Sequence, residues 1–398
     1  MQPLLVTAAL TLGVLTASIY ALAIVLALKL RTLLESDTHQ AIIDRPWKVS
    51  VIVPCRGWHP GLKGNLLSIL EQDYPRYEVI FVTQVGDSSA PYIEDLAEIS
   101  ETPAKALSVE SHDYRSDKIN NQLAGIDAID KDSQILVFFD SDGYALPSFL
   151  SNLVAPIYGN NNVVTTSYRW FLPGERSIPI AIAMMCDAFA FLLQSSPWFT
   201  LPWGGAMAMT VDVFKALQVE KEWSGALYDD YVLGLLLRRV NMRVSFVPSA
   251  LVANLPLLSL NALFQVGKRH FFLLRVVFRK HWVIALVAVS LAIFCPLSFL
   301  ALIPTLEWPF APAVGVAIAL SMPALSTVIM RSVVSSCEDL SSLAGHAKTR
   351  IPRKYLMLAF VVPIIFFIHI LSSALGKTVK WQNITYEVTA YNETRVIG

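Results

Sequence analysis

The sequence predicts an α/β domain built on a mostly parallel mixed sheet and carried by transmembrane α-helices. Three observations predict it. Hydrophobic residues make up 54% of the 398 and charged residues 16%, a balance that calls for long apolar spans beside ordinary globular sequence. Apolar runs of bilayer length stand near both ends of the chain, at Leu4–Leu28 and in three late segments. Between them, buried-type β runs alternate with helical spacing, which marks βαβ units. The net charge of +0 removes any strong electrostatic case for a nucleic-acid partner. The four cysteines (Cys55, Cys186, Cys295, Cys337) form no CxxC pair, which speaks against a zinc site or a disulfide framework.

Taken in order, Leu4–Leu28 carries no charge and suffices for a helix across a bilayer, which needs ~20 residues. No basic stretch precedes it, and Lys29 and Arg31 follow it. It therefore reads as a retained anchor over residues 1–32, with its carboxyl end in the cytoplasm. "VSVIVP" (49–54) is a β-branched run closed by proline, the pattern of a fully buried strand. After a turn at Gly57, Pro60 and Gly61, Leu62, Leu66, Ile69 and Leu70 share one helical face. "YEVIFVT" (77–83) and "ILVFFD" (135–140) are further buried strands. Parallel sheets bind ligands beyond the carboxyl ends of their strands, where Arg56, Asp87 and Asp140 stand.

Ile178–Leu193 is apolar apart from Asp187, short for a span, and followed by Pro197 and Pro202. It is expected to be a buried or interfacial helix. Residues 259–281 mix Phe264, Phe271, Phe272 and Phe278 with Lys268, Arg269, Arg275, Arg279 and Lys280, as an interfacial helix under anionic headgroups requires. Three apolar segments, Trp282–Ile303, Phe310–Met330 and Tyr355–Leu375, then fill 282–376. Arg331, Lys348, Arg350, Arg353 and Lys354 between the last two point to the cytoplasm. Counting four spans puts the tail, 377–398, with its sequons at Asn383 and Asn392, on the far side; a re-entrant segment would reverse that.

The ordered set "VSVIVPCRGWHPGLKGNLLSILEQDYPRYEVIFV", "KINNQLAGID", "FFDSDG", "WGGAMAM" and "YDDY", with a basic aromatic segment before the membrane hairpin, resembles membrane-bound family-2/21-type glycosyltransferases. Within these the chain is most similar to the ceramide glucosyltransferase-like branch, which includes bacterial hopanoid- and lipid-modifying relatives. The resemblance implies a cytosolic GT-A domain over 45–258. It also implies an inverting transfer of a hexose, glucose in the first instance, from a UDP-sugar to a membrane-lipid hydroxyl. That lipid is ceramide-like, a diacylglycerol or a hopanoid, and the product is a β-glycolipid.

The resemblance also implies roles for residues. Asp140 and Asp142 match a DxD element. Residues i and i+2 of an extended stretch face one side, and hard oxygen ligands suit Mg²⁺ or Mn²⁺. Asp142 is expected to bind the metal directly, and Asp140 through water or by a ribose contact; the bland alternative is a strand-end turn. Asp87, Lys118 and Asn120 would contact the donor, against turn-cap and helix-start alternatives. Asp230, beside Asp229, would deprotonate the acceptor, although a helix amino terminus weakens a carboxylate as a base. Gln265, Lys268 and Arg269 stand where the family carries Q/R-x-x-R-W; which of Lys268, Arg269 and His270 replaces the arginine stays open. Trp203, Gly205 and Met207 would meet the acceptor. The alternative activity is a processive polysaccharide synthase; a different class is an inactive membrane scaffold.

Overall fold

The computed structural model describes residues 2–36, 45–171, 178–254, 259–302 and 361–398, with a few positions at 324–331 and 359. The first element, α1 (Gln2–Ser36), runs four residues past the predicted anchor. It is followed by β1 (Val49–Pro54), α2 (Leu62–Leu70), β2 (Tyr77–Gln84), α3 (Ala90–Ile99), β3 (Ala104–Val109), α4 (Asp117–Asp127), β4 (Ile135–Phe139) and α5 (Phe149–Gly159). Next come β5 (Val164–Thr166), β6 (Arg169–Phe171), α6 (Ile178–Leu193), β7 (Ala206–Thr210), α7 (Val211–Ala216), α8 (Val219–Trp223), α9 (Asp229–Arg239), β8 (Val244–Phe246) and β9 (Val252–Asn254). The last elements are α10 (Leu260–Val277), α11 (Arg279–Leu302), α12 (Val362–Ser373), β10 (Thr378–Trp381), β11 (Ile384–Ala390) and β12 (Glu393–Val396).

The main sheet has the order β3-β2-β1-β4-β7-β5-β8. Its pairs are parallel except that β7 runs against both β4 and β5, so the mixed, mostly parallel sheet expected from the sequence is present. β1, β2 and β4 are buried at every position, as runs sandwiched between helical layers must be. One face of the sheet packs Val51, Val53, Phe81 and Val137 against Leu66 and Ile69 of α2 and Phe149 and Leu153 of α5. The other packs Ile52, Leu136, Phe138 and Met209 against Ile119 of α4, Trp223 of α8 and Leu233 of α9. The carboxyl ends of β1, β2 and β4 therefore open onto one edge, beside α4 and α9.

Ile178–Leu193 is helical, and its inner face packs on Leu26, Ala27 and Leu30 of α1 and on Trp170. Among the described residues one helix, Pro3–Glu35, is long and apolar enough to cross a membrane, so the expected set of several transmembrane helices is not borne out. The first late segment lies in α11, which packs against α1 and α12. The second falls almost wholly outside the described residues. The described part of the third, α12, has 12 residues, about 18 Å of helix against a hydrocarbon core of about 30 Å. The basic aromatic stretch is two helices rather than one, broken at Phe278, whose backbone leaves the helical region.

The tail is folded. β10, β11 and β12 form an antiparallel sheet, and Gln382 and Asn383, both at positive φ, make the tight turn between its first two strands. Val379, Tyr386 and Val388 bury themselves against Leu227 and Tyr228 and against Phe272 and Leu273 of α10. The Val396 amide donates to the Asp113 carbonyl (2.7 Å), and the Asn392 side chain donates to Glu222 (3.2 Å). The tail thus packs directly on the main sheet's own domain.

Candidate active site

The site grows from three chain segments that the sheet brings together. The first is the end of β4, where Asp140 leaves the strand and its amide donates to the Gly205 carbonyl (3.0 Å). The second is the start of α4, capped by the Ser116 hydroxyl, which accepts from the Ile119 amide. It presents Lys118. The third is the first turn of α9, which carries Asp229 and Asp230.

Lys118 is the hub. Its ammonium lies 2.8 Å from Asp140 Oδ1 and 3.2 Å from Asp229 Oδ2, and it donates to the Gly204 carbonyl (2.9 Å). Burial works against its charge, but Asp140, Asp229 and Asp230 outweigh that and raise its pKa. A Cβ on Gly204 would come within 2.7 Å of Asp229 Oδ1 and 2.9 Å of the Lys118 ammonium, so the absent side chain is what admits the ion pair. Gly205 is constrained by the Trp203 ring, which fills the space a side chain would need.

The two adjacent acids do different things. Asp229 is fully buried and accepts from Gln122 Nε2 (2.7 Å) as well as Lys118, so it is an anchor of the cluster. Asp230 faces the cavity described below, held by the amides of Gly204 (3.2 Å) and Tyr231 (2.7 Å). Burial first, then the Asp229 charge, push its carboxyl up to about 7, with Lys118 pulling the other way. The helix amino terminus, which should depress it, is outweighed. Asp140 is likewise pushed up to about 7, by burial against the opposing pull of Lys118, with Asp142 and Asp229 adding to the rise.

Asp142 is exposed and lines the cavity. Four carboxylates (Asp140, Asp142, Asp229, Asp230) set against the Lys118 ammonium leave negative charge that a divalent cation would meet. The Asp140 and Asp142 oxygens are the hard donors it would take. Among the described residues no three such ligands stand together, so the chain itself would supply at most these two carboxylates.

Other predicted donor contacts are placed differently. Asp87 ties two loops, accepting from the Gly57 amide (3.0 and 2.8 Å) and from the Ser89 amide and hydroxyl (2.8 and 2.7 Å). Asn120 turns away from the cavity, donating to the Glu110 carbonyl (2.7 Å) and accepting from Arg115 (2.9 Å); it braces a loop. Gln265 is exposed, and neither it nor Lys268 lines the cavity, because the exposed and half-buried turns of α10 carry them elsewhere. Arg269 and His270 do line it. The Arg269 guanidinium lies 5.1 Å from the Trp381 ring centre and 5.7 Å from that of Tyr228, two rings that themselves stack at 4.7 Å. Burial, then the charges of Arg269 and Arg169, push His270 down to about 3, so it is neutral and Arg269 supplies the charge. Met207 is fully buried in the core against α9, a packing residue that does not reach the acceptor side. Trp203 does line the cavity.

That cavity holds about 1050 Å³. Its lining includes Asp142, Asp230 and Arg269 together with many apolar side chains of α1, α6, α10, α11 and α12. Beyond the predicted residues it exposes Arg169 and Asp187 side by side.

The profile of glycosyl transferase family 21 matches residues 9–394, nearly the whole chain. The chain belongs to glycosyl transferase family 21. It is a glycosyltransferase of the hexosyl-transferring kind that takes a nucleotide-sugar donor. Two solved structures are similar to this family 21 chain. The mannosyltransferase PcManGT from Pyrobaculum calidifontis, in complex with GDP-Man and Mn²⁺, is 16% identical, with a TM-score of 0.47 over 83% of this chain and 99% of the other. GalNAc-T7 with UDP, GalNAc and Mn²⁺ is 14% identical, with a TM-score of 0.44 over 62% of this chain and 52% of the other. No curated protein matches the chain.

Proposed function

We propose that this family 21 chain is an inverting lipid glycosyltransferase of GT-A type. It moves glucose from UDP-glucose to the hydroxyl of a membrane lipid and so forms a β-glycolipid. The observation that supports this is the cavity: it is lined largely by apolar side chains of α1, α6, α10, α11 and α12 and also takes in the Asp230 carboxyl, which burial pushes up to about 7. An acceptor with acyl chains would lie along the helices with its head group at Asp230.

Asp230 takes the proton from the acceptor hydroxyl, whose oxygen forms the new bond to the anomeric carbon as the bond to UDP breaks with its electron pair. Attack from the face opposite the departing diphosphate inverts the configuration. Asp229 and Lys118 hold Asp230 and Asp140 in register, and Arg269, held against the stacked Tyr228 and Trp381 rings, offers its charge to the diphosphate. Asp142, with Asp140, would hold Mg²⁺ or Mn²⁺, which when bound supplies Lewis-acid neutralisation of the leaving group. Fixed geometry supplies the remainder of the rate.

The domain over 45–258 and the interfacial helix then lie on the cytoplasmic face, with α1 as the anchor. The assay is direct: incubate the purified full chain with radiolabelled UDP-glucose, Mn²⁺ and a lipid extract, and follow label into the organic phase. Absence of labelled lipid sinks the reading, and label in a long polymer replaces it with a synthase.

A further inference from the structure

We propose that His369 is a positioning residue for the acceptor: its imidazole N–H donates to an oxygen of the lipid, at a second point beyond the hydroxyl that reacts. The inference rests on the lipid-acceptor reading above.

His369 is the single ionisable side chain of the apolar helix α12 and is only 2% exposed, yet it lines the cavity. Neither of its ring nitrogens makes a hydrogen bond among the described residues, and Nδ1 is wholly enclosed. Its neighbours are rings: Phe264 at 5.5 Å and Phe271 at 6.3 Å between centres. A polar group in such surroundings stays costly until it is bonded. An ionisable residue on an apolar helix beside a cavity is therefore a ligand contact in waiting. Gly267 of α10 makes the room for it. A Cβ there would come within 2.1 Å of both Nδ1 and Cε1, so that edge of the imidazole is pressed on the backbone of α10. Nδ1 thus has no acceptor to bond. A neutral imidazole carries one N–H and one bare nitrogen, so the proton belongs on Nε2, on the edge turned away from Gly267.

What fills the cavity can meet that N–H. A hydrocarbon chain leaves it unmet, whereas a carbonyl or hydroxyl oxygen satisfies it. One cavity takes in both His369 and Asp230. About one turn along α10 from Gly267, roughly 5 Å, the His270 carbonyl accepts from the Tyr231 hydroxyl (3.4 Å), and Tyr231 follows Asp230 in the chain. A lipid with its hydroxyl at Asp230 then places a second oxygen at His369, and two polar points rather than one fix its head group.

The test measures the acceptor KM of the full chain in detergent, with UDP-glucose, Mn²⁺ and either a ceramide or a 1,2-diacylglycerol as the lipid. His369→Leu should raise it about tenfold, the loss of one hydrogen bond, with the KM for UDP-glucose within about twofold. His369→Gln, which keeps an N–H donor, should restore it to within about threefold of the parent. Gly267→Ala drives a methyl group into the ring and should raise the acceptor KM alike, which keeps the assignment testable if His369→Leu fails to fold. A straight-chain alcohol, whose hydroxyl is its one oxygen, should inhibit the parent and His369→Leu within about twofold of each other. An acceptor KM unmoved in the folded variants, or moved together with that for UDP-glucose, overturns the assignment. An alcohol weakened as much as the lipid marks a packing role and overturns it too. Label entering neither lipid, nor any lipid extract, overturns the lipid-acceptor reading, and this contact with it.

Discussion

Burial decides the chemistry of Asp230. A carboxylate in the first turn of a helix is normally favoured as the anion, yet its enclosure beside Asp229 pushes Asp230 up to about 7. The acceptor-saturated rate should therefore rise with pH through about 7 and level off above it, as the carboxyl loses its proton; a rate flat from pH 5 to 8 would remove Asp230 as the base. The same shift costs stability. A carboxyl raised from about 4 in the unfolded chain destabilises the fold increasingly as pH climbs from there through 7. Asp230→Asn should then melt higher than the parent at pH 8 while losing about 10²- to 10⁴-fold in turnover, read by thermal denaturation and the label assay. Lys118→Met strands Asp140 and Asp229 without their cation. It should cost about 3–5 kcal/mol in denaturant unfolding at neutral pH. Sequence already singled out Asp230, Lys118 and Asp140. It could not show that Lys118 binds the acids themselves, nor that Asn120 and Asp87 spend their polar atoms on loops, because the loop conformations that bring those partners together are set by the fold and not by local spacing.

At the scale of elements, the tail sheet is the part that completes the site. Trp381 on β10 stacks on Tyr228 before α9 and carries Arg269 of α10 across its face, so three separate elements fix one guanidinium. Trp381→Ala should lower kcat/KM for UDP-glucose about tenfold while the circular dichroism of the chain stays unchanged, since a stack of this kind contributes about 1–2 kcal/mol. Strands β1, β2 and β4 were legible because strands buried on both faces need unbroken apolar runs. The tail strands are short and alternate with polar residues, and their buried face is provided by α10, so no local pattern announces them. The break at Phe278 was equally hidden: the amphipathic pattern continues through it, and only packing of that ring shows where the helix turns.

For the whole molecule, the tail sheet packs on the domain that carries the candidate site. Asn383 and Asn392 match the glycosylation sequon, yet Asn392 bonds Glu222 on the catalytic domain. With the domain on the cytoplasmic face as proposed, the chain expressed in a eukaryotic secretory system should keep both asparagines unmodified, with no mobility shift on glycosidase treatment; a shift would overturn that placement. Residue order alone determined the α/β class, the mixed sheet and the family, because each is written in short-range pattern: apolar runs, β-branched strands, and the ordered motifs at strand and helix ends. Tertiary structure decided which acid faces the cavity, which cation reaches it, that the tail belongs to the site, and that Arg169 meets Asp187 on the wall of the passage. Those are contacts between segments tens to hundreds of residues apart, and burial and charge pairing at such distances exist only once the chain has folded.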